Sequence, residues 1–458
     1  MQKITNVLNK LYPIFLLLIF ALSFYLRTKV YLTNQSFGHD ECALAWNILN
    51  KNYVELLQPL RFLQAAPLLF LLFTKLETDI FGYSELVFRF IPYISGVLSI
   101  IGFYFLSKII LKNKYSILFS NLIFALNIPL FYYTGEFKPY SSDVLFCILS
   151  ILIFLNINKK NLLLLSAILE VFIWFSFPTV FIISTIILII LLSKNYSLKE
   201  KSLFLFSQII NGILFYIIFF ENMFNTHKGG MTEYWNNYFI NINNFPDIMQ
   251  QAFGFMFLES RFLIILSVFG LLMFLKEKHL FGKFVITLLV VLISASVLKI
   301  YPFAVRLILF LIPVFILLIS KTIDYKNTVT LLFLSIFLIG MYPNFKATFN
   351  TIVENKYNKY NTTPREIAAY LSSKIKDNDI VYVNFDSNSD YLYYKQIYNI
   401  KNKELIDTPQ YINVGDKVWF FLVNNSDETY EKIIKNNYKI FYENKSKNSK
   451  LIYAEKIK

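Results

Sequence analysis

The sequence LYPIFLLLIFALSFYL, residues 11–26, opens the chain's hydrophobic pattern, and Gly38-His39-Asp40-Glu41-Cys42-Ala43 follows shortly after it. The apolar run lies behind Lys3 and Lys10, as in a signal peptide, but it has no small-residue cleavage site and ends at Arg27. These features predict a retained anchor helix. The adjacent acids behind it are expected at a membrane surface, where a base can meet a water-soluble acceptor and a lipid-carried donor.

Ten further apolar runs follow, so the chain re-enters the membrane repeatedly. The eleven predicted spans are 11–27, 86–107, 115–131, 142–157, 162–177, 179–193, 203–220, 261–275, 284–299, 305–320 and 327–342. Several runs are shorter than the roughly 20 residues that cross the hydrocarbon core, so polar neighbours at their ends must reach the interface.

Composition supports a polytopic membrane protein. The 458 residues are 56% hydrophobic and 18% aromatic, with a mean hydropathy of +0.50. A net charge of +14 elsewhere suggests nucleic acid, but these lysines recur in short clusters between apolar runs. We therefore expect membrane lipids and no nucleic acid as partners. Cys42 and Cys147 are the two cysteines, so neither a disulfide framework nor a metal site is indicated.

Lysine and arginine positions predict the orientation, because cytoplasmic loops carry the excess of both. Alternate loops are enriched, which predicts a cytoplasmic N-terminus. The lysines of this inner set are Lys3, Lys10, Lys108, Lys112, Lys114, Lys159, Lys160, Lys194, Lys199, Lys201, Lys276, Lys278, Lys283, Lys321 and Lys326. The predicted outer segments are 28–85, 132–141, 177–178, 221–260 and 299–304, and an odd number of spans places the C-terminal tail outside the cell membrane.

Two domains are expected: a transmembrane domain at 1–342 and a soluble α/β domain at 343–458. Thr363-Pro364-Arg365-Glu366 has the pattern of a capping box that opens a helix. Strand-like runs at 380–385, 417–423, 438–443 and 451–454, with a helix near 428–435, predict a small α/β layer structure.

The segment between the first two spans is predicted to lie on the membrane. Residues 46–57 carry apolar side chains at roughly helical spacing, with polar ones between them. Residues 67–82 predict a second interfacial helix. Such helices would hold Asp40 and Glu41 at the level of the lipid headgroups.

Five segments in order resemble the glycosyltransferase family 39 type, the membrane-embedded class that includes protein O-mannosyltransferases and the aminoarabinose transferases of lipid A. The segments are FGHDECALAWNIL (37–49), LQAAPLLFLLF (63–73), FGYSELVFRFIP (81–92), GEFKPYSSDVL (135–145) and KIYPFAVRLILFLIP (299–313). The resemblance covers about residues 1–345. It implies a GT-C fold and inverting transfer of one sugar from a polyprenyl-phosphate carrier to an acceptor on the outer side. The acceptor, whether lipid, glycan or protein, stays open.

The resemblance implies site residues. Asp40 matches the family's acid of the first outer loop, the proposed base for the acceptor hydroxyl. Its alternative is the N-cap of a helix beginning near Ala43. Glu41 is a candidate for orienting the acceptor, or it only complements the dipole of that helix.

Lys138 and Arg306 are the candidate cations for the donor phosphate, because fixed positive charge stabilises a departing phosphate. The alternative is that both are interfacial anchors. The residues predicted to bind the substrate beside them are Glu136, Tyr140, Asp143 and Tyr301.

Other charged residues receive structural interpretations. Arg89 is expected to pair with Glu85. The intramembrane Glu170 is a functional candidate by default, with a hydrogen bond to an asparagine of a neighbouring span, Asn121, Asn127 or Asn211, as the alternative. A lone His227 is weak evidence for metal, so we expect no cofactor, although a divalent cation stays open.

Two other functions compete with a transferase. A transporter or flippase predicts internal repeats and polar groups at the midplane, whereas the notable charges here gather at one predicted face. A polysaccharide polymerase or ligase predicts a large arginine-rich outer loop, whereas the outer loops here are acidic and aromatic.

Overall fold

The structure is a computed structural model that describes residues 2–157, 161–219, 228–257, 261–324, 346, 363–423, 428–446 and 448–458. The predicted span 327–342, the domain boundary near 342 and His227 lie outside these residues, and so they stay predictions.

Sixteen helices are described before residue 325. They are α1 Gln2–Leu32, α2 His39–Asn50, α3 Leu68–Phe81, α4 Glu85–Phe88, α5 Phe90–Ile110, α6 Lys114–Leu126, α7 Ile128–Tyr132, α8 Tyr140–Asn156, α9 Leu162–Ile173, α10 Thr179–Leu192, α11 Leu198–Phe215, α12 Lys228–Tyr234, α13 Phe245–Phe257, α14 Arg261–Lys276, α15 Leu280–Val297 and α16 Ile312–Thr322. Each predicted span that falls on described residues overlaps a helix, although the span predicted at 305–320 meets α16 only from Ile312 onward.

These helices confirm a multi-pass membrane protein. Four described helices are long and apolar enough to cross a bilayer, and a fifth candidate is the pair α6–α7, bent by 56°. Asn127 explains the bend, because its side chain accepts a hydrogen bond from the Leu130 amide and starts a new helix with Pro129 in its first turn. The other apolar helices have 10–17 residues, so the total of eleven spans stays a prediction.

The long loop after α1 contains the two predicted interfacial elements. Helix α2 is shorter than expected, ending at Asn50, and a 3-10 turn at Glu55–Leu57 follows it. Helix α3 matches the second prediction closely.

The C-terminal region, residues 363–458, forms the predicted α/β structure. Its elements are α17 Pro364–Lys374, β1 Ile380–Val383, α18 Asn388–Ile397, β2 Glu404–Ile406, β3 Lys417–Val423, α19 Glu428–Asn437, β4 Tyr438–Ser446 and β5 Ser449–Lys456. The sheet order is β2-β1-β3-β5-β4, with β1 parallel to β2 and β3, and β5 antiparallel to β3 and β4. Sequence patterns missed α18 and the three-residue β2.

Alternating side chains give the sheet two buried faces. Val381 and Val383 join a hydrophobic cluster that also contains Phe37 just before α2, Ile48 of α2 and Phe137 before α8. Ile380, Tyr382 and Ile434 of α19 belong to a second cluster on the other face. The C-terminal region therefore packs directly on the loop that carries Asp40 and Glu41.

Polar contacts divide the loops between two ends of the helix bundle. At one end, which we call the site face, the 28–85 loop contacts residues 136–138, Arg306 and the C-terminal region. At the opposite face, Asp324 accepts from the Lys112 and Asn113 amides, and Lys321 pairs with Glu277. These contacts bring together three of the predicted inner segments, near Lys112, Glu277 and Lys321.

Candidate active site

Helix α2 begins with the acidic pair. Gly38 is its N-cap, and Asp40 and Glu41 lie in the first turn, where negative charge suits the helix dipole. The Gly38 amide donates to Oε2 of Glu41 at 3.0 Å. Asp40 is therefore not the N-cap residue, which removes that structural alternative for its carboxylate.

Asp40 forms an ion pair with Arg306 across 266 residues of sequence. Nη1 of Arg306 donates to Oδ2 of Asp40 at 2.7 Å, and Nη2 donates to the Tyr234 hydroxyl at 3.3 Å. The guanidinium carbon lies 5.0 Å from the centre of the Trp235 ring, in cation–π contact. The side chains of Asp40 and Arg306 remain 26% and 12% exposed, so a substrate can reach the pair.

Glu41 has a different environment, because nitrogen donors surround its carboxylate. Arg89 donates to it from both Nε and Nη2 at 2.9 Å, and the Phe137 amide donates at 2.7 Å. Nη1 of Arg89 also donates to the Gln35 carbonyl at 2.6 Å. These bonds tie α2 to α4 and to the turn before α8.

Arg89 pairs with Glu41 instead of with Glu85, the predicted partner. Burial lowers the pKa of Arg89, but the charges of Glu41 and Glu85 outweigh burial and raise it. Glu85 instead accepts hydrogen bonds from Arg365 at 2.7 Å and from the Tyr394 hydroxyl, both in the C-terminal region.

Lys138 is held by the first long loop. Its Nζ donates to Oε1 of Gln64 at 2.7 Å, and the residue is 8% exposed. Phe62 and Leu63, just before Gln64, both have positive φ angles, of 62° and 52°. Such consecutive conformations are costly for non-glycine residues and are typical of functional sites.

Tyr140 links the other predicted substrate residues to the Asp40–Arg306 pair. The Tyr140 hydroxyl interacts electrostatically with Arg306, Asp40, Glu136 and Asp143. The Tyr301 hydroxyl interacts with Asp143 and Tyr140, and it donates to the Leu307 carbonyl at 2.9 Å. Glu136 accepts from the Tyr132 hydroxyl at 2.7 Å. The structure thus brings all eight predicted site residues to the site face.

A cavity of about 20 Å³ lies beside the buried Glu41–Arg89 pair. Its polar lining includes Gln35, Ser36 and Glu136. This volume and lining suit one ordered water molecule.

Two further predictions concern Glu170 and metal binding. Glu170 accepts a hydrogen bond from Ser166 of its own helix at 3.0 Å, so the predicted asparagine partner is wrong. Asn121 and Asn127 donate elsewhere, to Ser107 and to the Met256 carbonyl. Within the described residues, no group of three or more His, Cys, Asp or Glu side chains could hold a metal ion.

Sequence reasoning missed several contacts of the site. Gln64, Tyr234 and Trp235 have no distinguishing local pattern, although two adjacent aromatic residues in a long polar loop are a weak signal. His39 stands inside the quoted motif, but its partner Asp390 lies 351 residues away.

No family model and no curated protein sequence matches the chain. Among solved structures, it is similar to ArnT from Cupriavidus metallidurans bound to undecaprenyl phosphate, with TM-score 0.61 and 12% identity over 95% of this chain and 97% of that one. The apo form of the same ArnT gives TM-score 0.58 and 10% identity, covering 98% of both chains. The Archaeoglobus fulgidus oligosaccharyltransferase in complex with Zn and sulfate gives TM-score 0.52 and 11% identity, covering 84% of this chain and 62% of that one.

These similarities extend over nearly the whole chain and establish its fold. It has the GT-C architecture, a helical membrane bundle followed by a small α/β region, as the sequence resemblance implied. They do not single out the family 39 type within that class.

Proposed function

We propose that this chain is an inverting membrane glycosyltransferase that moves a sugar from a polyprenyl-phosphate carrier to a hydroxyl group of an acceptor. The fold shared with ArnT, whose solved structure holds undecaprenyl phosphate, supports this assignment. The five family 39-type segments support it independently. An outward-facing site in the cell membrane, and a two-domain chain divided near residue 342, belong to the same proposal.

The observation that carries the proposal is the ion pair between Asp40 and Arg306. A carboxylate and a guanidinium meet at 2.7 Å on a partly exposed surface, and the Tyr140 hydroxyl interacts with both charges. This arrangement supplies a proton acceptor and a positive charge within one site, which is what transfer from a phosphate-linked donor requires.

The residues then have distinct roles. Asp40 takes the proton of the acceptor hydroxyl as its oxygen bonds to the anomeric carbon. The bond from that carbon to the carrier phosphate breaks at the same time, and the phosphate leaves with the electron pair. Negative charge grows on the phosphate, so Lys138 and Arg306 stabilise the transition state more than the bound substrate.

Arg306 can bind both Asp40 and the donor phosphate because a guanidinium has five N–H donors. One N–H stays on Asp40 and keeps its carboxylate oriented. We assign a second N–H of the guanidinium to the donor phosphate, because the planar fork of arginine suits phosphate oxygens. Glu136, Tyr140, Asp143 and Tyr301 bind or position the sugar, and no metal ion is assigned.

Glu41, the second acid of the motif that contains Asp40, is assigned a positioning role. Its carboxylate already accepts from Arg89, Gly38 and Phe137, which leaves little capacity for an acceptor hydroxyl. It holds the start of α2, and so it fixes the direction of Asp40.

Asp40→Asn tests the proposal in membranes fed with labelled polyprenyl-phosphate sugars. Asparagine keeps the shape of the side chain but cannot take a proton, and a general base contributes on the order of 100-fold or more. We expect transfer of label to membrane acceptors to fall by at least that factor. The matched control is Glu55→Gln, an exposed acid of the same loop, which should transfer normally.

Equal transfer by the parent and Asp40→Asn would remove Asp40 as the base. Movement of intact donor across the membrane, with no covalently labelled product, would instead favour a flippase. Label chased into long polymer chains would favour a polymerase or ligase.

A further inference from the structure

His39 is bound by a carboxylate of the C-terminal region. Its Nδ1 lies 2.7 Å from Oδ2 of Asp390 and 3.0 Å from the Ser389 hydroxyl, both in the first turn of α18. Asp390 is fully buried, whereas the His39 side chain is 35% exposed. The ring is therefore anchored from the inside and reachable from the site face.

The contact fixes the ring's orientation and its proton. A carboxylate accepts hydrogen bonds, so Nδ1 of His39 carries a proton and donates it to Asp390. Nε2 has no hydrogen-bond partner within the described part of the chain. Asp390 thus occupies the inner nitrogen of a partly exposed ring, whose charge also interacts with the carboxylate of Asp40, the next residue.

The surrounding charges favour the cationic ring. Burial lowers the pKa of His39, but its hydrogen bond to Asp390 and the charges of Asp390, Asp40 and Asp386 outweigh burial and raise it. The buried Cys42 thiol also faces Asp390, and burial raises the pKa of that thiol well above its usual value. Cys42 therefore stays neutral and adds no charge beside the ring. When His39 is protonated, both of its ring nitrogens are hydrogen-bond donors.

We propose that His39, anchored by Asp390, donates a hydrogen bond from Nε2 to the hydroxyl oxygen of the acceptor alcohol and turns the hydroxyl proton toward Asp40. The inference rests on the proposed function and deepens it. It makes the C-terminal region part of the acceptor site, because α18 determines where His39 points. A ring that donates at both nitrogens cannot be the base, so Asp40 keeps that role.

Transfer and donor hydrolysis, measured side by side, separate this role from a structural one. Water replaces the acceptor in hydrolysis and carries two protons, so it can offer one to Asp40 without being turned by His39, whereas an alcohol has a single hydroxyl proton. In membranes fed with the labelled donor, we expect His39→Gln and Asp390→Asn to lower transfer about 10-fold, the effect of one charge-assisted hydrogen bond. Hydrolysis should change less than about 2-fold. Transfer by the parent should also decline as pH rises through the His39 pKa.

The control is Gln396→Ala at the same interface. Gln396 and Asn50 exchange exposed hydrogen bonds between α18 and α2. Loss of the Gln396 side chain should leave the rates of transfer and of donor hydrolysis unchanged. If His39→Gln and Asp390→Asn reduce hydrolysis as much as transfer, His39 only holds α2 in place, and the inference is wrong. Unchanged transfer in both variants also overturns it.

A histidine NMR titration tests the ion pair without turnover. The chain has three histidines, so His39→Gln assigns the His39 signal. Its pKa should be raised in the purified parent and lower in Asp390→Asn; equal values would disprove the anchoring. If the parent neither transfers nor hydrolyses any labelled donor, the proposed function fails and the acceptor role fails with it. A pKa shift in Asp390→Asn would then still establish the contact.

Discussion

Asp40 and Glu41 are neighbours in sequence, but their carboxylates point in different directions. Successive helical residues are about 100° apart, so one side chain faces Arg306 and the other faces the interior. Asp40 is 26% exposed, whereas Glu41 is 7% exposed and accepts from four nitrogens. Burial and the number of hydrogen bonds accepted thus distinguish the accessible carboxylate of Asp40 from the buried carboxylate of Glu41.

Glu77 of α3 is expected to make the stability of the fold depend on pH. It is 9% exposed, its Oε1 has no hydrogen-bond partner within the described residues, and burial raises its pKa from 4.5 to about 8. Between these pH values the unfolded chain loses the proton and the folded chain keeps it. Folding then takes up a proton, so this residue lowers stability as pH rises from 4.5 to 8.

Glu77→Gln removes this penalty. The melting temperature of the purified variant should exceed that of the parent by more at pH 8 than at pH 5. Glu233→Gln, at an exposed acid, should show no such pH dependence. A Glu77→Gln difference that is constant across this range would contradict the assigned protonation.

Helices α14 and α16 show how closely the membrane elements pack. A Cβ at Gly270 would lie 1.8 Å from the Leu318 carbonyl oxygen of α16, so the two backbones are in direct contact. Small residues permit such approach between helices in membranes.

Gly270→Ala should therefore force α14 and α16 apart. We expect a loss of about 1–3 kcal/mol, typical of overpacking, and a lower melting temperature measured by circular dichroism in detergent. Gly212→Ala in α11 is the control, because a Cβ there meets nothing within 4 Å. It should match or exceed the parent, since alanine favours helix. A normal melting temperature for Gly270→Ala would contradict the close contact.

The site is assembled from segments that are distant in sequence and meet at one end of the helix bundle. Arg365 and Tyr394 bind Glu85, Asp390 binds His39, and the aromatic rings of Phe37, Phe88 and Tyr393 pack together. The C-terminal region is thus attached by both buried apolar contacts and ion pairs. Removing it would uncover the loop that carries Asp40.

Cysteine labelling tests the orientation that we propose. Phe385 is 73% exposed on the C-terminal region, and the Lys112 side chain is 77% exposed on the opposite face. An impermeant thiol reagent should label Phe385→Cys in intact cells and Lys112→Cys only after permeabilisation. The native Cys42 and Cys147 are fully buried and should give little background. The reverse pattern would invert the proposed topology.

Local patterns in the sequence were enough to predict the class of the protein, the approximate positions of most of its helices and the type of its C-terminal region. Hydropathy, lysine clusters, a helix-start motif and alternating strands act over a few neighbouring residues, so one chain is enough to recognise them. Five family-like segments also indicated Asp40, Lys138 and Arg306 as site residues. The ends of α2, the short β2 and the helix α18 were missed because their local patterns are weak.

Which charged side chains pair with each other could be learned from the folded chain alone. The contacts Asp40–Arg306, Glu41–Arg89 and His39–Asp390 join residues 266, 48 and 351 positions apart. Such pairing depends on how helices cross and where the C-terminal region rests, and hydrophobic periodicity carries no information on either. Asp40 and Glu41 stand in one sequence motif. For the same reason, only the folded chain distinguishes the accessible carboxylate of Asp40 from that of Glu41, whose hydrogen-bond capacity is filled.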